Sequence, residues 1–329
     1  MRTDLERGFN AFSTSSSEAS FIGGSQNLVY EYQQNEQEYM LRFTPLTHRS
    51  EQMIKSELDW IHYLAGEGVA VSTPILSRNG NWTEEVHTPR EGYTCVSFVK
   101  APGKQIEYPE CLQDANLYER LGRCTGKLHA LSKRYRPDEQ NGRRHDWSCN
   151  WFLQNMELLP ISHTAVRNSG LRLMESIRSL PQPSDSFGLI HGDINVGNFR
   201  VNEQGVLTLF DFDEAQYSWF VEEIAIQLYY LVYVYGGRDG QKLREEQTRR
   251  FMGPFMKGYL HENPLDESWI KQIPLFLRLR ELIVYIGAFR NWDGVDETFS
   301  NSDNGWFKDW IAESRARIEN EVPIVDIWG

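Results

Sequence analysis

The sequence predicts an α+β protein with two lobes, a small antiparallel β-sheet lobe followed by a mainly helical one. Short runs before residue 100 alternate apolar with polar residues, as half-buried strands do. Later stretches carry apolar residues at helical spacing, for example over residues 121–131. A Pro-Gly pair at residues 102–103 interrupts the chain between these parts. We therefore predict an N-terminal lobe at residues 1–99 and a C-terminal lobe at residues 100–329.

The composition favours a cytoplasmic globular protein, either a monomer or a homodimer. The chain has 329 residues, enough for two lobes with a substantial core. Its net charge of −12 disfavours binding along nucleic-acid phosphates. The absence of both a signal-peptide pattern and a run of about eighteen apolar residues predicts no membrane association. The four cysteines have no metal-like spacing, so we expect reduced thiols.

The first strand pair is predicted around a glycine turn at residues 21–32. Gly23 and Gly24 lie between two apolar or aromatic runs, and Asn27 follows them. Backbone N–H groups in such a small turn could face phosphate oxygens. The alternative is an ordinary hairpin turn, since Gly-Gly pairs are common in hairpins.

The next strand carries a basic residue, and the helix after it carries an acidic one. Leu41 and Phe43 alternate with Arg42, as in a half-exposed strand. A helix is predicted from about residue 47 to residue 66, and Glu57 on it is suitably placed to pair with Arg42. The alternative is that the two are unrelated surface charges.

The most informative feature is the run H-G-D-I-N-V-G-N over residues 191–198, followed by F-D-F-D over residues 210–213. Asp193 and Asn198 have the spacing of the Asp and Asn in a kinase catalytic loop. Asp211 follows an apolar run that is typical of a short strand, where kinases place a magnesium ligand. The order of these features indicates phosphoryl transfer from a nucleotide.

This chemistry explains the residue types. Catalysis of phosphoryl transfer is mostly positioning and charge neutralisation. A carboxylate such as Asp193 can accept the proton of an acceptor hydroxyl. Asn198 and Asp211 supply the oxygen ligands that Mg²⁺ prefers. Asn195 is predicted to fix the loop by hydrogen bonds to its backbone. A plain solvated turn is the alternative for any one of these residues, but the ordered set favours a site.

The later part of the chain is predicted to be helical. Helical spacing over residues 121–131 places His129 in a packed helix rather than in a catalytic site. Gly122 and Gly126 fall on one face of this helix and would permit close contact with another helix. Residues 219–234 and 274–290 are two further helix-length apolar segments.

With these motifs the chain resembles the aminoglycoside phosphotransferase and choline kinase group, part of the protein kinase-like superfamily. The resemblance spans roughly residues 20–215 and is most specific in the H-G-D-x-x-x-x-N and D-x-D motifs. Within the group it is most similar to the type II homoserine kinase-like branch. The resemblance implies a bilobal kinase-like fold, ATP as donor and Mg²⁺ as cofactor, with GTP not excluded as donor by the sequence.

The resemblance also implies roles for individual residues. Asp193 would be the catalytic base, and Asn198 and Asp211 would bind Mg²⁺. Arg42, with Glu57 as its partner, would contact phosphate. The strand before the Pro-Gly break would meet the adenine edge, and the nucleotide-contacting residues of the first lobe are predicted to be Gly23, Gly24, Asn27, Arg42, Glu57, Ser97, Phe98 and Val99. For the last three, an edge strand ending in a turn is the alternative.

Two departures from protein kinases favour a small-molecule acceptor. Gly192 replaces the Arg of H-R-D, and Asp213 replaces the Gly of D-F-G, with no A-P-E segment following. The expected acceptor is a hydroxyl on an amino alcohol, a homoserine-like metabolite or an aminoglycoside. The predicted acceptor-site residues are Asp213, Glu214, Tyr285, Arg290 and Trp292. The alternative functions are a stress-response-type serine/threonine protein kinase and a nucleotide-binding pseudokinase scaffold.

Overall fold

A computed structural model of the chain describes residues 5–24, 26–290 and 305–328. The strands are β1 Ser20–Gly23, β2 Leu28–Gln34, β3 Gln37–Pro45, β4 Pro74–Ile75, β5 Glu84–His87, β6 Gly92–Val99, β7 Phe187–Ile190, β8 Phe199–Val201, β9 Leu207–Leu209 and β10 Gln216–Trp219. The helices are α1 Glu6–Ala11, α2 Glu51–Gly66, α3 Ala115–Ser132, α4 Trp151–Gln154, α5 Thr164–Arg178, α6 Phe220–Val232, α7 Gly240–Glu262, α8 Glu267–Ile270, α9 Ile273–Ala288 and α10 Gly305–Glu319. Among these helices, none is both long and apolar enough to span a membrane.

The described chain divides into two compact units that do not follow a single cut in the sequence. The first unit contains the described residues up to Gln105, together with Arg134–Arg144 and Asn198–Asp213. The second contains Ile106–Lys133, His145–Gly197 and the described residues from Glu214 onwards. The two internal segments of the first unit were assigned from the sequence to the C-terminal lobe. A single cut in the chain puts both segments in the C-terminal lobe, but in the structure both pack with the unit that contains the sheet.

The first unit is built on an antiparallel sheet with strand order β1-β2-β3-β6-β4, and β5 also pairs with β6. Asn35 and Glu36 turn the chain between β2 and β3 with φ values of 50° and 66°, the left-handed conformations that a tight hairpin needs. The register pairs Arg42 on β3 with Val29 on β2 and with Val96 on β6. Arg42 is therefore fixed in the middle of the sheet.

One face of this sheet packs against α1. Phe9 of α1 lies 4.9 Å from the ring of Tyr30 and 5.1 Å from the ring of Phe43, and all three side chains are buried. Burying such large aromatic side chains is a major favourable term in folding. This core holds β2 and β3 in place beneath the residues that line the other face.

Helix α2 starts at Glu51, four residues later than the sequence pattern predicts. The reason is the cap, because the Ser50 side chain accepts a hydrogen bond from the Met53 N–H. A capping serine adopts an extended backbone, so the helix cannot begin before it. Its buried face includes Ile54, Leu58 and Glu57, and a glutamate in such a position requires a partner.

The second unit combines a two-stranded sheet, β7 with β10, with packed helices. Helices α3 and α7 pack closely against each other. A Cβ on Gly122 would lie 2.0 Å from the Phe255 carbonyl oxygen, and one on Gly126 would lie 2.6 Å from that of Tyr259. The predicted close contact at these glycines is therefore confirmed. The predicted packing of His129 is also confirmed, since its side chain is fully buried on α3.

Helices α6 and α9 agree with the two predicted apolar segments and are mostly buried. Each contains charged residues inside its apolar run, Glu222 and Glu223 in α6 and Arg280 and Glu281 in α9. Buried charges are expensive unless they are paired or hydrogen-bonded. The predicted α+β class, with an antiparallel sheet first and helices after it, is confirmed.

Candidate active site

The loop that carries Asp193 begins where β7 ends, at Ile190. Asn195 organises this loop with both ends of its amide. Its Nδ2 donates to the Asp193 carbonyl oxygen at 3.0 Å, and its Oδ1 accepts from the Gly197 N–H at 2.7 Å. The prediction that Asn195 fixes the loop through the backbone is confirmed.

The start of the loop is tied to α6 through a buried carboxyl group. The Glu223 side chain accepts hydrogen bonds from the His191 N–H at 2.6 Å and the Gly192 N–H at 3.2 Å. Gly192 has φ of 81°, and a Cβ there would lie 2.2 Å from the Glu214 carbonyl oxygen. This position therefore requires glycine, which explains why no arginine precedes Asp193.

Two adjacent carboxyl groups lie beneath this loop. Burial raises the pKa of Glu223 to about 8, although the backbone N–H groups that it accepts oppose the shift. Burial likewise raises the pKa of Glu222 to about 7, opposed by hydrogen bonds from Ser218 and Gln216. His129 Nε2 lies 4.0 Å from Glu223, but burial lowers the pKa of His129, so a neutral imidazole faces the pair. Both glutamates lack a cationic partner strong enough to offset burial.

The Asp193 carboxylate is held by an arginine from α9. Arg280 Nη2 donates to Asp193 Oδ1 and also, at 2.5 Å, to the Tyr230 hydroxyl. The Tyr230 hydroxyl lies 3.5 Å from the same Asp193 oxygen, and the Arg280 guanidinium lies 5.0 Å from the Tyr230 ring centroid. Arg280 is buried, whereas the Asp193 side chain is 23% exposed. The carboxylate is thus oriented by charge-assisted hydrogen bonds while it remains accessible.

In the first unit, Arg42 and Glu57 form a bidentate ion pair. Arg42 Nη1 donates to Glu57 Oε1 at 2.9 Å and Nη2 donates to Oε2 at 2.7 Å, with both side chains buried. Burial opposes the charge of Arg42, but the Glu57 carboxylate raises its pKa above the ordinary value. The guanidinium also lies 5.2 Å from the Phe98 ring centroid. The structure brings together the pair that the sequence predicted.

Asp211 and Asn198 lie together in the first unit, around the end of β9. The Phe210 N–H donates to the Asn198 carbonyl oxygen at 3.0 Å. Asp211 has φ of 61°, a conformation that costs energy for a residue other than glycine and that concentrates at functional sites. Its carboxylate lies 3.9 Å from Arg42 Nη1 and is 49% exposed. An exposed carboxylate and an amide side chain are both oxygen donors, so this donor set fits Mg²⁺.

The predicted glycine turn lies at the end of β1. Gly23 and Gly24 have φ values of 133° and 139°, and Asn27 is buried just before β2. Ser25 lies outside the described residues. The phosphate-binding role of this turn stays a prediction.

The strand predicted to meet the adenine edge is β6, and its end is already hydrogen-bonded. The Val99 N–H donates to the Thr73 carbonyl oxygen at 2.8 Å, and the Val99 carbonyl accepts from the Ser72 hydroxyl. The Ser97 hydroxyl lies 2.8 Å from the Tyr32 hydroxyl. Nucleotide contacts by Ser97, Phe98 and Val99 stay a prediction, and for Val99 they compete with these internal bonds.

Asp213, a predicted acceptor-site residue, is instead part of a buried ion-pair cluster. Its Oδ2 lies 3.0 Å from His48 Nε2 and its Oδ1 lies 3.4 Å from Arg49 Nε. Burial opposes ionisation, but the Arg49 charge and the His48 hydrogen bond hold the pKa of Asp213 well below its usual range. Its carbonyl oxygen accepts from Arg144. These contacts tie the chain after β9 to the residues just before α2, and the acceptor role of Asp213 stays a prediction.

The other predicted acceptor residues have different positions. Tyr285 is fully buried and its hydroxyl lies 3.2 Å from His163 Nδ1, so it packs in the core of the second unit, and its acceptor role stays a prediction. The Arg290 guanidinium lies 5.3 Å from the Trp151 ring centroid. Glu214 accepts a hydrogen bond from Asn150 at 3.1 Å. Trp292 lies outside the described residues.

The predicted site residues do not include Glu223, Tyr230 and Arg280, which hold the Asp193 loop and its carboxylate. A signal was available, because a charge inside an apolar helix must be paired or hydrogen-bonded. Both Glu223 and Arg280 lie inside such runs. The sequence could not show which buried group each would contact.

Comparison with known proteins agrees with this geometry. The family described as "Phosphotransferase enzyme family" matches residues 18–261, more than half of the chain. An amicoumacin kinase from Bacillus subtilis (strain 168) is 34% identical over 307 residues, which cover 92% of this chain and 88% of that protein. The chain therefore belongs to the phosphotransferase enzyme family. The predicted family and the predicted enzyme class, a phosphotransferase, are confirmed.

Solved structures extend the likeness to the whole fold. An amicoumacin kinase, hAmiN, in complex with AMP-PNP, Ca²⁺ and Ami is 29% identical with a TM-score of 0.85, covering 98% of this chain and 93% of that one. A microcompartment-associated aminopropanol kinase is 21% identical with a TM-score of 0.75, covering 97% of this chain and 96% of that one. The predicted kinase-like fold is confirmed.

Proposed function

We propose that this chain is an ATP- and Mg²⁺-dependent kinase that phosphorylates a hydroxyl group of a small molecule. The observation that carries the proposal is the Asp193 carboxylate. It lies on a loop fixed by Asn195 and Glu223 and is held by Arg280, yet it remains partly exposed. A general base needs this combination of fixed orientation and access to the acceptor.

The reaction follows from the chemistry of these groups. The acceptor oxygen forms a bond to the γ-phosphorus of ATP, the bond from that phosphorus to the β-γ bridging oxygen breaks, and ADP leaves. Asp193 orients the hydroxyl and accepts its proton as the transfer proceeds. Arg280 keeps the carboxylate in one orientation during this step.

The donor-side groups belong to the first unit. Asn198 and Asp211 would hold Mg²⁺, which when bound supplies positive charge that neutralises phosphate oxygens. Arg42 stays charged at all relevant pH values, and Glu57 fixes the direction of its guanidinium. Gly23, Gly24 and the end of β6 are proposed to contact the nucleotide.

Amicoumacin is the first acceptor to test. The Bacillus subtilis amicoumacin kinase matches this chain over nearly its full length, and hAmiN does so in three dimensions. Amino alcohols are the second class, since an aminopropanol kinase shares the fold. Homoserine and aminoglycosides complete the set of acceptors.

The test is a Mg·ATP consumption screen with these acceptors, followed by an Asp193→Asn variant. The amide keeps the shape of the side chain but accepts a proton poorly. We expect phosphate transfer to fall about 10²–10⁴-fold, while ATP binding measured by calorimetry stays within about twofold of the wild-type value. Asp239→Asn is the matched control, because Asp239 is exposed at the start of α7 and makes no capping bond there. Full activity of Asp193→Asn would reject the assigned role.

A further inference from the structure

Four aromatic side chains form a continuous surface in the second unit, called here the ring wall: Tyr108, Tyr230, Tyr233 and Trp306. The Tyr233 ring centroid lies 5.7 Å from that of Tyr230, 6.4 Å from that of Tyr108 and 5.7 Å from that of Trp306. All three contacts are edge-to-face, with interplanar angles of 71–86°. The rings therefore form a patch rather than a stacked column.

The ring wall begins at the reacting group. The Tyr230 hydroxyl lies 3.5 Å from Asp193 Oδ1, and Tyr233 is the residue directly after the end of α6. The contacts run from Trp306 to Tyr233, from Tyr233 to Tyr230, and from Tyr230 to Asp193. A group bound on Tyr233 and Trp306 therefore lies on a surface that continues to the carboxylate proposed to meet the acceptor hydroxyl. Apolar surface continuous with a reactive carboxylate is typical of a binding site.

The wall is partly open to solvent, and the helix that carries Trp306 is anchored by ion pairs. Trp306 is exposed to 43%, and the three tyrosines are half-buried. Trp306 lies at the start of α10, which is fixed by a 2.7 Å ion pair from Arg317 to Glu281 and a 2.9 Å ion pair from Glu313 to Arg244. An exposed aromatic patch on an anchored helix is a surface that a ligand can cover without an ordering cost.

The local charge decides what kind of group fits. The buried Arg280 guanidinium already lies 5.0 Å from the Tyr230 ring centroid. Arg280 thus occupies one face of the Tyr230 ring, so a cationic group of the acceptor cannot use that face. A planar uncharged group would instead make edge or face contacts with the rings and displace water from them. The ring wall is therefore better suited to an aromatic group than to an ammonium group.

We propose that the ring wall binds an aromatic group of the acceptor and sets acceptor specificity, with Trp306 as its main contact. The proposal rests on the kinase function proposed above, with Asp193 meeting the acceptor hydroxyl. The wall selects acceptors that carry an aromatic ring next to the reacting hydroxyl over equally charged acceptors that lack one.

Two amino alcohols that differ in a single group test this proposal. In 2-amino-1-phenylethanol a phenyl group stands where 1-amino-2-propanol has a methyl group, and both carry the same amine and a secondary hydroxyl. We expect the wild-type protein to favour the phenyl compound about tenfold or more in kcat/KM. Trp306→Ala should lower kcat/KM for the phenyl compound far more than for the methyl compound and so remove most of this preference, and Trp306→Phe should retain it.

Trp82→Ala is the matched control, since Trp82 is exposed to 40% and packs on His62 in the first unit. It should leave the preference unchanged. Equal kcat/KM for the two compounds in the wild-type protein, or an unchanged preference in Trp306→Ala, would overturn the proposal. An equal loss for both compounds would also overturn it, because Trp306 would then be only structural.

Calorimetric binding of the same two compounds separates this proposal from the proposed function. If neither compound is phosphorylated but the phenyl compound binds about tenfold more tightly and loses that advantage in Trp306→Ala, the ring wall stands on binding alone. The kinase assignment is then decided separately, by the Mg·ATP consumption screen with the other acceptors and by Asp193→Asn. If both bind equally, the ring wall is rejected whatever the activity.

Discussion

The two units each contain an arginine–carboxylate pair, and the pairs differ in what they leave accessible. In the first unit Arg42 occupies both oxygens of Glu57, and Glu57 is fully buried. In the second unit Arg280 contacts a single oxygen of Asp193, and 23% of the Asp193 side chain is exposed. The Arg42–Glu57 pair is called closed here, because no oxygen of Glu57 is left accessible, and it fixes the Arg42 cation. The Arg280–Asp193 pair is called open, because Asp193 remains partly exposed, and it fixes the proposed base.

Glu223 extends this comparison to a carboxyl group that has no arginine. It is buried like Glu57, but it accepts backbone N–H groups instead of a guanidinium, and its pKa rises to about 8. Backbone dipoles do not offset the cost of burying a full charge, whereas a guanidinium pair can. The protein thus uses carboxyl groups in three ways: as the partner of a cation, as a base and as a largely uncharged acceptor of backbone hydrogen bonds.

The largest expected effect comes from breaking the closed pair. Glu57→Ala would leave the Arg42 charge buried without its bidentate partner, and we expect the free energy of unfolding to fall by about 3–5 kcal/mol. Urea denaturation measures this change. Glu67→Ala is the control, because Glu67 pairs with Arg134 at 3.7 Å on the surface, where an ion pair contributes about 0–1 kcal/mol. Equal losses in the two variants would contradict the distinction between closed and exposed pairs.

Breaking the open pair should destabilise the fold less than breaking the closed pair. Its main effect should be on catalysis. Arg280→Ala removes hydrogen bonds to Asp193 and Tyr230, and we expect about 1–3 kcal/mol of destabilisation. We expect kcat to fall about 10²-fold because the carboxylate loses its orientation, with the KM for ATP unchanged and partial recovery in Arg280→Lys.

Arg278→Ala is the control for the general effect of removing an ion-paired arginine from α9. Arg278 lies on the same helix as Arg280 and pairs with Glu321 at 3.2 Å. This variant should retain near-normal kcat. If Arg280→Ala raised the KM for ATP and left kcat intact, Arg280 would not be positioning the base.

The same contrast explains what the sequence could predict. Arg42 and Glu57 are 15 residues apart, and local patterns place them on a strand and the next helix. Their pairing is favoured only together with the downstream motifs and the resemblance that these carry. Asp193 and Arg280 are 87 residues apart, and no local pattern connects α9 with the loop after β7. The glycine contact of α3 was predictable because both small residues fall on one helix face. Its partner helix was not, because that depends on the packing of the complete chain.

The acceptor-site residues stay a prediction, because residue type and chain position do not show which side chains reach a ligand. Tyr285 and Asp213 were chosen by residue type and by position in the chain, but both side chains are buried within their units. The ring wall combines residues from α6, α10 and the loop at residue 108, which are distant in sequence. Aromatic residues are equally suited to cores and to ligand contacts, so only the fold separates Trp306 from the buried Trp310.

The last expected effect concerns the uncharged carboxyl group, and it depends on pH. Because the pKa of Glu223 is raised from 4.5 to about 8, the folded protein binds a proton that the unfolded chain has released between these values. Its contribution to stability is therefore complete below pH 4.5 and is lost as the pH rises towards about 8, by at most about 1.4 kcal/mol per pH unit. Glu222, whose pKa is raised to about 7, adds a slope of the same sign.

Glu223→Gln isolates the Glu223 contribution, because the amide oxygen can still accept from the His191 and Gly192 N–H groups but does not titrate. Urea denaturation of both proteins at several pH values between 5 and 8 should give a shallower fall of unfolding free energy in the variant, the remaining slope coming from Glu222 and other groups. Activity at neutral pH should stay close to the wild-type level, since the loop remains tied to α6. Parallel pH curves for the two proteins would mean that Glu223 is ionised in the folded state, and that backbone N–H groups alone can support a buried carboxylate.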